Sequence, residues 1–142
     1  MNGLSRETLD SLLIHLHRVI EDVAVGVVDA IDAGTSNESM SYPPNCGLTA
    51  DEVAALAAVD ITGHLKSALR KVVADAASYP VYDLLCVIDG VADPASDDWP
   101  GIALVQREDG DGDFDFLHTE FYESYWNWLD DRPDRGWKLH VG

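Results

Sequence analysis

Leu9, Leu12, Leu13, Leu16, Val19, Ile20, Val23, Val27 and Ile31 recur at helical spacing. That rhythm matches the 3.6-residue turn of an α-helix and gathers all nine on one apolar stripe. Ser5 stands where a side-chain oxygen can cap the first turn, and Gly34 stands where a helix must turn left-handed to stop. The pattern predicts a helix from about Ser5 to Ala33, with Glu7, Asp10, His17, Arg18, Glu21, Asp22, Asp29 and Asp32 off the stripe. Ile14 and Val25 fall on the far face beside Arg18, at about 100° per residue. They are either scattered surface apolars or the seam of a homodimer.

Residues 34–48 are turn formers and read as a flexible loop. Thr49 and Glu52 then make a capping box that opens a second helix. Its apolar phase slips. Val53 and Leu56 share one side, whereas Ile61, Leu65, Leu69, Val72, Val73 and Ala76 share another. A straight helix cannot bury both, so a break is expected between Asp60 and Gly63, with a further helix to about Ser78. Pro80 suits the first turn of a fourth helix and Gly90 its C-terminal cap, around an apolar run from Val81 to Ile88.

Beyond Gly101 the pattern changes. Ile102 to Gln106, Phe114 to Leu117 and Trp137 to Val141 read as short strands, and His118 to Leu129 carries Phe121, Tyr125 and Trp128 at helical spacing. The expected fold is α+β and mostly α: four N-terminal helices, then a small antiparallel sheet with an inserted aromatic-rich helix. At 142 residues this is read as one globular domain, residues 1–142.

Charge decides which partners remain. Twenty-six acids against nine bases give a net charge of -17. Nucleic acid is excluded as a partner because no basic patch can displace counterions from phosphates, and an anionic membrane surface is excluded in the same way. A basic protein or a metal cation would be attracted. The acidity is equally open to a reading as overall composition, without function. Met1–Asp10 is charged within six residues and no apolar stretch approaches the ~20 residues of a span, so a soluble, cytoplasmic protein is expected. Cys46 and Cys86 lie far apart and read as free thiols, Cys86 as a small hydrophobe in an apolar run.

Asp109-Gly-Asp-Gly-Asp-Phe-Asp-Phe-Leu-His-Thr-Glu120 has acids at positions 1, 3, 5, 7 and 12 of a twelve-residue loop. An EF-hand calcium loop wants oxygens there, and Asp109, Asp111, Asp113 and Glu120 would be its side-chain ligands. Phe114 replaces the glycine of position 6, and a strand-like segment precedes the loop where a helix should be. A solvated acidic hairpin turn accounts for the same residues. His15 and His17 fall on different sides of their helix, and His64 and His140 have no ligand-spaced neighbour. His118 with Glu120 is the nearest thing to an acid–base pair, and no residue is assigned a catalytic role. Recognisable nucleophile, phosphate-loop and zinc motifs are absent.

Eight aromatics (Phe114, Phe116, Phe121, Tyr122, Tyr125, Trp126, Trp128 and Trp137) crowd one short span. Phe121, Tyr125 and Trp128 read as core. Tyr122 and Trp126, ringed by Glu120, Glu123, Asp130 and Asp131, form a candidate interaction surface, because aromatic anchors inside a polar rim carry binding energy at interfaces. Three readings remain: a non-enzymatic acidic interaction protein with a basic partner, a small Ca²⁺-type metal-binding domain using residues 109–120, and an enzyme or ligand-binding domain of unassigned chemistry. In size and charge alone the first resembles small bacterial immunity proteins, which mask toxin nucleases. No motif carries that resemblance.

Overall fold

The computed structural model describes residues 5–94, 98–105, 126, 127 and 130. Ser5 caps the first helix as its position demands. Its Oγ accepts from the Thr8 amide at 3.1 Å, and its carbonyl accepts from the Leu9 amide at 3.0 Å. Helix α1 then runs Arg6–Ala33, 28 residues, a length of about 42 Å. It ends as the glycine requires: Gly34 takes φ +73°, its amide reaches the Ile31 carbonyl and the Thr35 amide reaches the Ala30 carbonyl. This is the Schellman pattern, which satisfies carbonyls that the helix leaves without donors.

A single helical turn, α2 (Ser36–Ser39), follows. The remainder of the 34–48 segment is irregular, but three features hold it in place. The Leu48 amide donates to Asn37 Oδ1 at 2.7 Å, the Cys46 amide donates to the Pro43 carbonyl, and Pro43 is fully buried. Asn45 takes φ +60°, a left-handed conformation that asparagine tolerates better than most residues. Gly47 lies so close to Asn37 that a Cβ there would meet Oδ1 at 2.6 Å.

Helix α3 (Ala50–Ala57) opens on the expected capping box, with both arms made. The Glu52 amide donates to Thr49 Oγ1 at 3.3 Å, and the Thr49 amide donates to Glu52 Oε2 at 2.9 Å. The break demanded by the phase slip falls at residues 58–62, where Thr62 becomes the N-cap of the next helix and accepts from the Leu65 amide.

Helix α4 (Gly63–Ile88) corrects the sequence reading. Two helices divided near Ser78 are expected, but one helix of 26 residues runs through with Pro80 inside it. Proline supplies no amide for the Ala76 carbonyl, and this normally ends a helix. Proline's fixed φ of about -65° is itself helical, so the helix can continue past Pro80 at the cost of that bond. The helix stops instead at Gly90, φ +72°, where the Gly90 and Val91 amides close a second Schellman pattern on Val87 and Cys86.

The expected α+β class is also corrected. Helix accounts for 68% of the described residues, and there is no strand or sheet among them. Ile102 to Val105, read as a strand, has no regular structure, and Ile102 and Val105 are exposed. Strand propensity makes a strand only with a neighbouring ladder and a covered face, and neither is found for Ile102 to Val105 among the described residues. The other two proposed strands lie outside the described residues. Trp126, Asn127 and Asp130 are helical, within or at the end of the segment read as a helix.

The chain divides into two compact units, Met1–Asp29 with Ile61–Asp109 and Ala30–Asp60 with Gly110–Gly142. In the first, Asp29 of α1 meets Lys66 and Arg70 early in α4, while Leu13 to Ile20 share a groove with Ser78 to Leu85. The two long helices therefore run antiparallel. Their buried apolar residues, among those described, are Ala24 and Val28. Half of the expected stripe, Leu9, Leu12, Leu13, Leu16 and Ile20, is only half-covered, and Val19, Val23 and Val27 on its flanks are exposed. In the second unit Ile31, Leu48, Val53 and Leu56 gather around a cavity of about 30 Å³. None of the described helices is long and apolar enough to cross a membrane.

Candidate functional site

The first unit contains a groove of about 340 Å³ between α1 and α4. Its α1 wall is Leu13, Leu16 and Ile20 of the apolar stripe, with His17 beside them. Its α4 wall is Ser78, Tyr79, Val81, Tyr82 and Leu85, the turns on either side of Pro80. The volume is in the lower range of ligand-sized pockets, and the lining is mainly apolar. Tyr79 and Tyr82 are the exposed rim, at 73% and 69%.

Local bonding sets the character of the groove. The Ser78 hydroxyl turns back to donate to the Asp75 carbonyl at 2.7 Å, a common local bond of helical serines. The Tyr82 phenol is held above its ordinary value of 10.0, first by its hydrogen bond with the Cys86 side chain and then by the charge of that same group. Several acids lie within about a turn of the lining residues. Asp10 precedes Leu13 by three residues, Glu21 follows His17 by four, and Asp75 and Asp83 are four residues either side of Tyr79. All these spacings place neighbours on one helix surface. The result is an apolar trough with tyrosine edges and charges of both signs around it, for Arg6 pairs with Asp10 at 3.0 Å and Lys71 precedes Asp75 by four residues.

A second polar feature lies at the other end of the helix pair. Asp29 Oδ1 receives Arg70 Nη2 at 2.8 Å and Lys66 Nζ at 3.0 Å. Both cations lower the Asp29 carboxyl below its ordinary value, Lys66 more than Arg70. This cluster pins α1 to α4. With two cations consuming one carboxylate oxygen, it is a structural clamp.

The residues singled out from sequence separate into two sets. Asp109, Asp111, Asp113 and Glu120 of the proposed metal loop, and Tyr122, Glu123 and Asp131 of the proposed interaction surface, lie outside the described residues. Trp126 is exposed to 41%, and Asp130 is exposed as well. Ile14 and Val25, proposed as a dimer seam, are exposed at 58% and 36%. His15, His17 and His64 are exposed, and among the described residues no three His, Cys, Asp or Glu side chains gather as metal ligands would. Cys46 and Cys86 are half-buried thiols, neither of them in a disulfide.

Sequence reasoning missed the groove and the clamp. Leu13, Leu16 and Ile20 were legible as a stripe, and a stripe is ordinarily core. Tyr79 and Tyr82, three residues apart on one helix face, were the signal that its far end is a rim. Lys66 and Arg70, four apart, announced a basic spot, but its partner is 41 residues from Arg70. Compared with protein-family profiles, with curated proteins and with solved structures, the chain matches none.

Proposed function

We propose that this chain is a non-enzymatic, acidic interaction protein that binds a basic protein partner, in the manner of an inhibitor or immunity protein. The observation that carries the reading is the net charge of -17. Charge of that size and sign raises the encounter rate with a cationic surface by long-range steering and repels acidic competitors. Exposed apolar and aromatic side chains supply the short-range part. Ile14, Tyr79, Tyr82 and Leu84 are all more than half exposed. Exposed apolar and aromatic side chains of this kind are what a partner's contact surface can cover.

The test is binding of the full chain to a panel of size-matched cationic and anionic proteins, followed by interferometry at several salt concentrations. Basic nucleases are the first cationic candidates for that panel. The expected result is a complex with a cationic protein that survives physiological salt, with an association rate that falls steeply as salt rises. Retention of no cationic protein, or equal retention of both sets, overturns the reading.

A further inference from the structure

We draw no further inference here: the strongest candidate, the apolar groove between α1 and α4 with Tyr79 and Tyr82 at its rim, carries nothing, because the charges around it are of both signs and nothing in the structure shows what covers it.

Discussion

Asp29 holds two cations on one oxygen, and the consequence is a definite pH dependence. Its carboxyl is lowered in the folded protein, by the Lys66 bond first and the Arg70 bond second. A group whose folded value is depressed contributes stability that is fully present above its unfolded value and is lost as pH falls through the folded one. Asp29→Asn is therefore expected to melt below the parent at pH 7, with the gap closing as pH drops below the ordinary carboxylate value of 3.8. Thermal melts at pH 7, 5, 4 and 3 measure it, and a gap that does not shrink on acidification would sink the clamp. The clamp is half exposed, so added salt should weaken it. Apolar residues on the same helix divide more sharply. Val28 is fully buried, and Val28→Ala is expected to cost about 2 kcal/mol by removing two buried methyl groups and leaving a void. Ile14→Ala, at a mostly exposed position, is expected to stay within about 0.5 kcal/mol. Denaturant titration of the two variants side by side checks the contrast.

At the scale of the element, Pro80 has two opposing effects. Inside α4 it withholds one amide and crowds the carbonyl four residues back, a cost of about 3 kcal/mol in a helix interior. Its removal also frees the unfolded chain, which costs the folded state about 0.4–1 kcal/mol. The helix term wins, so Pro80→Ala is expected to stabilise the protein by roughly 2 kcal/mol. Unchanged or lower stability in a chemical melt would show that α4 has already absorbed the proline. The same residue marks where sequence reading stopped being sufficient. Caps were legible because their chemistry is local: Ser5, the Thr49–Glu52 box, Gly34 and Gly90 were each identified by type and spacing, and each does what its type dictates. The break before Gly63 was legible because a phase slip is a local property too. Continuity across Pro80 was not, since proline's fixed φ fits a helix interior as well as a first turn and the sequence does not say which. The strand reading of Ile102 to Val105 failed for a related reason: β-propensity acts only through a partner the sequence does not name. Of the candidate site, the stripe and the tyrosine pair were visible as residues. That they face each other across a groove was not.

For the whole molecule the dominant quantity is the charge of -17. It opposes compaction by self-repulsion, and it opposes a homodimer through Ile14 and Val25 in the same way. Salt separates this long-range effect from the short-range ion pairs. Screening extends about 30 Å at 0.01 M and about 10 Å at 0.1 M, so repulsion spread over helices of this length is largely removed between those two concentrations. Contacts as close as the 2.8 and 3.0 Å pairs at Asp29 are screened much less. The two effects have opposite signs, and the many acids without nearby bases outnumber the few paired ones. Helices α1 and α4 carry only part of the excess, with eight acids (Glu7, Asp10, Glu21, Asp22, Asp29, Asp32, Asp75 and Asp83) against five bases (Arg6, Arg18, Lys66, Arg70 and Lys71). The melting temperature is accordingly expected to rise by about 5 °C from 10 to 300 mM sodium chloride, equivalent to about 1 kcal/mol for a domain of this size. Most of the gain should come below 100 mM, and Asp29→Asn should gain at least as much as the parent because it has no clamp to lose. A melting temperature that falls with salt would mean that ion pairs, not repulsion, set the balance in this chain. The charge would then be mostly neutralised within the fold and would not be available to a partner.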